Sequence, residues 1–328
     1  MLNYSEGNNI KIVIDSSAVQ FGSTNSEIGH IVNLIKNKLG FGYVSNGIAA
    51  NNEIRTTYLI DRAVKKIFEQ SGVVNPKNEI DGVFIASITN TYEVVKNYFD
   101  NYLNRKMTTK EALMTDNSLV GSKVTITHNM EGVNYRFFSC GRTSGIHAVQ
   151  SAYIQLLSQK SHKCLIASSE STAKIKECIA PNENIGDVGA SVVLNAVPQD
   201  TENVLCIKSI VCDGCQRGTT RINATGIQNV IKRALEEAGI KESGIVATLG
   251  TTSHDNFLID TEKEAINNVL GGEHYLLQPR YMVGDMLGAE TLVNIYFISH
   301  LSKELGDNLN YLILCTDYEN IGAIIIGR

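Results

Sequence analysis

The stretch SCGRTSGIHAV, residues 139–149, determines how the rest of the chain is interpreted. It follows a short apolar strand predicted at 135–138, and a helical pattern begins at Ser144, so the stretch is a strand-to-helix turn. The entrance of a helix is the positive end of its dipole, which favours a cysteine thiolate and disfavours a cation. This turn carries Cys140, a candidate nucleophile, and Arg142, a cation, two residues apart.

The bulk composition is that of a globular protein with a sizeable core. The chain has 328 residues, 43% of them hydrophobic, and a net charge of −5 without a Lys/Arg block. Nucleic acid is therefore not expected as a partner. No apolar run approaches the roughly 20 residues that span a bilayer, and the opening residues MLNYSE do not resemble a signal peptide, so no membrane association is expected. Seven cysteines without a regular framework predict reduced thiols in the cytoplasm.

A lone CxxC motif, formed by Cys212 and Cys215, is the main metal or redox candidate. A structural zinc site needs two further ligands at a suitable spacing, and none is evident. A thioredoxin-type site needs a strand-to-helix context, and no glycine-rich phosphate loop is present either. We therefore predict neither a metal nor a cofactor.

Strand-like apolar runs alternate with amphipathic helical stretches along the chain. Continuous apolar strands alternating with helices predict an α/β fold whose sheets are buried on both faces. The order of elements suggests two similar halves, residues 1–203 and 204–328, that pack as one body. The predicted strands are 10–14, 83–88, 135–138, 163–167, 192–194, 204–211, 245–249, 311–315 and 323–326, and the predicted helices are 58–70, 144–159, 227–238, 262–270 and 287–305.

Several ordered motifs resemble those of the β-ketoacyl synthases, which have the thiolase fold. TSGIHAV (143–149) is similar to the end of the family's nucleophile motif, A-C-x-S-G-x-H-A-I. GDVGASVVL (186–194), ATLGTTSHDN (247–256) and PRYMVGDMLGAETLVNIYFIS (279–299) resemble later family motifs in the same order. The closing DYENIGAIIIG (317–327) replaces the family's Gly-Phe-Gly-Gly loop. The resemblance implies a thiolase-like fold of two similar halves, layered α-β-α-β-α with mixed sheets.

The same resemblance implies that the catalytic positions are lost. Placed without gaps, the family's nucleophilic cysteine falls on Arg142, and its glutamate after the next strand falls on Glu170. Leu249 and Asp285 stand in place of the two catalytic histidines, and Arg280 stands in place of a lysine. Condensation needs a thiolate and two hydrogen-bond donors for the developing enolate, which arginine, leucine and aspartate do not supply.

Arg142 and Asp285 are predicted to form a buried charge-assisted pair. A guanidinium at a helix N-terminus is destabilised by roughly 0.3–1 kcal/mol unless an anion accompanies it. The resemblance brings Asp285 to the same pocket, where a bidentate pair with Arg142 would fill the space of the active site.

Degenerate members of this family are the chain length factor subunits of type II polyketide synthases, and this sequence looks like that class. The resemblance implies a heterodimer with an active ketosynthase in polyketide or aryl-polyene biosynthesis, in which this subunit shapes the acyl-chain tunnel and an acyl carrier protein is reached through the complex. It also implies an interface along the strand at Tyr135, Arg136, Phe137, Phe138 and Ser139. The chain departs from the family in having few residues between Glu170 and Gly186, where a longer capping segment is usual.

Two other functions stay open. Cys140 is the nucleophile of an active ketoacyl synthase III-like enzyme if the register slips by two residues; otherwise it is predicted to be a buried strand-end thiol. The third reading is a homodimeric scaffold that binds acyl carrier protein. His147 is predicted to be a packed helix residue and His254 a polar loop residue, and Ser144 has no base nearby in any motif.

Overall fold

The computed structural model describes residues 10–21, 55–89, 92–104, 119–130, 133–171, 187–214, 221–251, 253, 255–271, 275–277, 279, 284–305 and 309–328. Arg280, His254, Cys178, Cys215 and Gly186, which bear on the sequence interpretation, lie outside these residues. Helices are numbered below in the order in which the structure describes them.

The strands of the first half form a mixed sheet in the order β3-β2-β4-β5-β1. Strands β2, β3 and β4 are parallel to one another, while β5 is antiparallel to both β4 and β1. Apolar side chains alternate between the two faces of the sheet, so helices can pack on both sides. The bounds are β1 Ile10–Phe21, β2 Gly82–Ala86, β3 Asn134–Phe138, β4 Lys163–Glu170 and β5 Val188–Pro198.

The strands of the second half repeat this arrangement in the order β6-β10-β9-β7-β8. Strands β7, β8 and β9 are parallel, and β10 is antiparallel to β9 and β6. A short antiparallel ladder between β1 and β6 joins the two sets of strands. The division of the chain at residues 203 and 204 stays a prediction. The bounds are β6 Cys206–Gly214, β7 Ile245–Leu249, β8 Tyr275–Leu277, β9 Asn310–Thr316 and β10 Asn320–Gly327.

The helices form three layers around the strands. The central layer contains α5 (Ser144–Leu157) and α8 (Glu290–Leu305), whose side chains share one apolar core with both halves. One outer layer contains α1 (Arg55–Ser71) and α4 (Leu119–Thr127), and the other contains α6 (Ala224–Ala238) and α7 (Asn256–Leu270). A short helix α2 (Pro76–Glu79) and the helix α3 (Tyr92–Leu103) flank β2 in the chain.

Alternation along single strands shows how the layers arise. On β2, Phe84 and Ala86 face the central core, whereas Val83 and Ile85 face the outer core beneath α1. The predicted layered α-β-α-β-α architecture with mixed sheets is confirmed by these cores. This architecture places the N-terminal ends of α5 and α8 next to each other at the centre of the molecule.

Helix ends follow the sequence closely where a cap is present. Gly239, predicted to stop the helix at 227–238, has a left-handed φ of 65° and caps α6. Asn223 caps the other end of α6 by accepting a hydrogen bond from the amide of Gly226, so the helix begins three residues before its predicted start. The strand predicted at 83–88 ends at Ala86, and the helix predicted from 287 begins with a 3-10 turn at Leu287–Ala289.

Among the described residues, no helix is long and apolar enough to cross a membrane. Within the same residues, no group of three or more His, Cys, Asp or Glu side chains is arranged to hold a metal ion. Of the CxxC motif, Cys212 belongs to the described part of the chain, and Cys215 lies outside it.

Candidate functional site

Arg142 and Asp285 meet at the centre of the molecule. Arg142 lies in the turn between β3 and α5, and Asp285 lies just before the 3-10 turn that leads into α8. The guanidinium donates to both oxygens of the carboxylate, with 2.5 Å between Nη1 and Oδ1. The side chain of Asp285 is 1% exposed and that of Arg142 is 16% exposed. The two groups are therefore in direct contact and largely buried, as the sequence predicts.

The charges around Arg142 compensate for its unfavourable position. As a cation it faces the positive end of the α5 dipole, whereas Asp285 and Glu290 are anions at the start of α8, where the dipole favours them. Burial alone would lower the pKa of Arg142, but the charge and hydrogen bonds of Asp285, with a smaller contribution from Glu290, raise it above its usual range. Arg142 is thus held as a permanent cation between acids from the other half of the chain.

The entrances of α5 and α8 touch through glycines. A Cβ on Gly145 would lie 2.8 Å from the carbonyl oxygen of Gly288, and a Cβ on Gly288 would lie 2.7 Å from Oε1 of Glu170. Only glycine fits at such distances. This close approach brings the turn containing Arg142 within reach of the segment containing Asp285.

Leu249 lies at the end of β7, where it is 1% exposed and part of the central apolar core. The polar groups beside it belong to neighbouring residues. The amide of Thr251 donates to Glu262 (3.1 Å), and its hydroxyl donates to Glu290 (3.2 Å). Glu262 also accepts a hydrogen bond from Thr316 (2.5 Å). Leu249 itself offers no hydrogen-bond donor from its side chain toward this space.

Glu170, at the end of β4, is completely buried. Its carboxylate accepts hydrogen bonds from the amides of Ile88 and Thr89 (both 2.8 Å) and from the hydroxyl of Thr89 (2.6 Å). The backbone of Gly288 lies against the same carboxylate. Burial raises the pKa of Glu170 to about 7, against the opposing effect of these hydrogen bonds.

The predicted burial of Cys140 is wrong, because its side chain is exposed. Strand β3 ends at Phe138, and Gly141 turns the chain with a left-handed φ of 62°, so Cys140 belongs to the turn rather than to the strand. Its backbone is fixed on both sides: the hydroxyl of Thr143 donates to its carbonyl (2.8 Å), and its amide donates to the hydroxyl of Ser144 (2.7 Å). The hydroxyl of Ser144 donates in turn to the carbonyl of Gly141 (2.6 Å).

His147 lies one turn into α5 and is half-buried, so burial lowers its pKa. Cys315, on β9, is fully buried, and its thiol donates to the carbonyl of Arg142 (3.4 Å). Burial raises the pKa of this thiol well above its usual range. Cys315 and His147 do not act as a nucleophile and its base, because a buried thiol with a high pKa is inert.

Sequence reasoning missed a cluster at the rim of the site. Tyr318, in the turn between β9 and β10, donates a hydrogen bond to Asp255, which caps α7. The guanidinium of Arg221 lies 5.6 Å from the ring of Tyr318 and 5.8 Å from the ring of Phe257. Tyr318 lies close enough to Arg142 for that cation to lower its pKa, although its hydrogen bond to Asp255 raises it overall. The motif DYEN, in place of a glycine-rich loop, is the sequence signal for this difference.

The predicted interface residues lie on an edge strand. Among the described strands, β3 pairs only with β2, so its other edge is unpaired within the part of the chain that the structure describes. Arg136 is exposed, as is Ser139, which directly follows the strand, while Tyr135, Phe137 and Phe138 are partly buried against the apolar cores. An edge strand with partly exposed aromatic side chains is a template for pairing with another chain.

Comparison with solved structures assigns the fold. The chain matches the ishigamide ketosynthase/chain length factor with a TM-score of 0.75 and 13% sequence identity, over 96% of this chain and 99% of that one. A type II polyketide synthase acyl carrier protein complex with its ketosynthase matches with a TM-score of 0.79 and 11% identity, over 97% and 99% of the two chains. The 3-oxoacyl-[acyl-carrier-protein] synthase III of Aquifex aeolicus matches with a TM-score of 0.65 and 14% identity, over 97% and 100%.

No protein-family model matches the sequence, and no curated protein matches it either. The structural similarity nevertheless extends over almost the whole of each chain. The protein therefore has the thiolase fold that ketosynthases and chain length factors share, with Arg142 and Asp285 at the meeting point of its two central helices.

Proposed function

We propose that the protein is a non-catalytic, ketosynthase-like subunit of the chain length factor type, which pairs with an active ketosynthase in type II polyketide or aryl-polyene biosynthesis. The observation that carries the proposal is the bidentate contact between Arg142 and Asp285. The two groups fill the entrance of α5, where a ketosynthase would carry its nucleophilic thiolate.

The chemistry of the site supports a loss of condensing activity. Decarboxylation of a malonyl thioester needs hydrogen-bond donors at the developing enolate oxygen. In the corresponding positions Leu249 is apolar, and Asp285 is a buried carboxylate bound by Arg142. The negative charge of Asp285 would repel an enolate. Arg142 has no lone pair for attack on a thioester. The subunit would instead contribute surface and shape to an acyl-chain tunnel in the cytoplasm.

The position of β3 at the edge of the sheet, among the strands that the structure describes, supports a heterodimer. We infer that residues from Tyr135 to Ser139 pair with the ketosynthase, which would extend the sheet across the two subunits. An acyl carrier protein would be reached through this complex. Two of the solved structures that share the fold support this partnership in general, since one is named a ketosynthase/chain length factor and the other contains an acyl carrier protein with its ketosynthase.

Co-expression with the ketosynthase of the same operon tests the proposal. The two chains should purify as a stable 1:1 complex, and the subunit alone should neither decarboxylate malonyl-acyl carrier protein nor form an acyl thioester. Phe137→Pro, which removes an outward-facing backbone donor from the edge strand, should weaken the complex more than Phe137→Ala, which removes the same aromatic ring and keeps the donor. A chain that stays monomeric beside every ketosynthase of the operon would refute the heterodimer.

The exposed thiol of Cys140 supports a second candidate, an active condensing enzyme of the ketoacyl synthase III type. In that case acyl-CoA should label Cys140, and the label should be lost in Cys140→Ala. A homodimer that binds acyl carrier protein without any ketosynthase would instead indicate the scaffold function. Intact-mass measurement and light scattering on the purified chain separate these outcomes.

A further inference from the structure

The segment that presents Asp285 to Arg142 has an unusual backbone. Gly284 has a φ of 78° and Leu287 a φ of 47°, so the chain enters the left-handed region on both sides of Asp285. Leucine rarely adopts this conformation, because its Cβ crowds the backbone there. The surrounding structure must therefore hold this segment in place.

Two local hydrogen bonds lie within the segment. The amide of Leu287 donates to Oδ1 of Asp285 (3.0 Å), and the amide of Ala289 donates to the carbonyl of Met286 (3.0 Å). Both bonds join residues of the same turn and would move with it. They do not fix the turn relative to Arg142, which belongs to the other half of the chain.

Glu170 supplies a connection to the first half. Its buried carboxylate lies against the backbone of Gly288 in this turn and accepts hydrogen bonds from the amides of Ile88 and Thr89 in the loop after β2. The amide of Ser171 donates to the hydroxyl of Thr89 (2.9 Å), which fixes the same loop. Because Glu170 ends β4, the turn is tied to the rigid sheet of the first half.

Gly288 makes this connection possible. A Cβ there would lie 2.7 Å from Oε1 of Glu170, 3.2 Å from Ile88 and 3.4 Å from the Cβ of Ser144. The carboxylate therefore lies directly against the backbone of the turn, beside the entrance of α5. A side chain at position 288 would push the turn away from both Glu170 and Ser144.

From this geometry we infer that Glu170 is a positioning residue for the Arg142–Asp285 pair. Its carboxylate clamps the turn at Gly288 against the loop after β2, and this clamp sets the place at which Asp285 receives the two hydrogen bonds of Arg142. The inference concerns contacts within the chain and holds whether or not a ketosynthase is the partner.

Side-chain NMR of Arg142 in the full-length chain tests the inference. The Nη protons of Arg142, assigned by their absence in Arg142→Lys, should exchange slowly with water in the wild type. In Glu170→Gln the amide nitrogen would face backbone donors, so the exchange should become faster by roughly tenfold, equivalent to about 1.4 kcal/mol. Gly288→Ala should have the same effect from the other side of the contact.

Ile166→Ala is the matched control, because Ile166 is fully buried on the same strand as Glu170 but belongs to the apolar core. It should lower the unfolding midpoint and leave the Arg142 exchange rate unchanged. Glu170→Asp, which keeps a shorter carboxylate, should give an intermediate rate and serves if Glu170→Gln does not fold. An unchanged Arg142 exchange rate in the folded Glu170 variants or in Gly288→Ala would overturn the inference.

Discussion

Replacement of Arg142 by methionine should destabilise the protein by about 2–3 kcal/mol. Removing one partner of a buried ion pair costs roughly 3–5 kcal/mol, because the other charge remains buried without its counter-charge. Here the carboxylate left behind, Asp285, is 1% exposed, but the 16% exposure of Arg142 lets water reach the gap, which favours the lower limit. Removing the cation from the positive end of α5 is favourable by roughly 0.3–1 kcal/mol, which offsets part of this cost.

The double variant Arg142→Met/Asp285→Leu separates the charge effect from packing. Apolar replacement of a whole buried pair is often neutral or stabilising by roughly 1–4 kcal/mol, so the double variant should be close to the wild type. Asp285→Asn alone should cost less than Arg142→Met, because Glu290 remains as a second acid near Arg142. The order of stability is therefore wild type and double variant first, then Asp285→Asn, then Arg142→Met.

Urea unfolding of the full-length chain, followed by far-UV circular dichroism, measures these differences. The midpoints are compared at constant m-value, so that a change in midpoint reports a change in stability. A double variant as unstable as Arg142→Met would refute the reasoning, since the loss would then come from packing rather than from the uncompensated charge. So would an Arg142→Met variant with the stability of the wild type.

Burial raises the pKa of Glu170 from an ordinary 4.5 to about 7, so the folded state keeps a proton that the unfolded state releases, and the wild type should lose roughly 2–3 kcal/mol relative to Glu170→Gln as pH rises from about 5 to 8, measured by urea midpoints. Gly189→Ala should lower the stability by roughly 1–3 kcal/mol, measured as a lower melting temperature, because a Cβ would lie 2.1 Å from the carbonyl oxygen of Leu59. Arg142→Cys should form no acyl thioester with malonyl-CoA by intact-mass analysis, since Asp285 still occupies a donor position; labelling of that cysteine would contradict this.

The sequence predicts the fold well because its signals are local and repeated. Apolar runs on β7 fit their predicted bounds, and Gly239 ends α6 as expected, since a left-handed cap favours glycine. The helices α3 and α4 were not predicted. On α3, Phe99, Tyr102 and Leu103 are exposed, so these three apolar residues do not mark a buried face, and α4 has no clear amphipathic periodicity.

The site is predictable only where a charge demands a partner. Arg142 at a helix entrance requires an anion, and the resemblance supplied Asp285, which the structure places against it. The exposure of Cys140 could not be predicted in the same way, because it results from the left-handed turn at Gly141, which depends on the local path of the chain. The resemblance singles out Glu170, but the sequence does not predict its hydrogen-bond donors, because they come from a distant loop.

The arrangement of the acids explains why this site differs electrostatically from one built around a thiolate. An anionic thiolate at the entrance of α5 would be stabilised by the helix dipole and repelled by Asp285 and Glu290. A guanidinium reverses both relations: the dipole opposes it, and the two acids from the start of α8 compensate. Arg142 and Asp285 therefore depend on each other. Restoring a cysteine at position 142 alone would place its thiolate beside two other anions, Asp285 and Glu290. A change back to condensing chemistry would have to replace the arginine and the acid together.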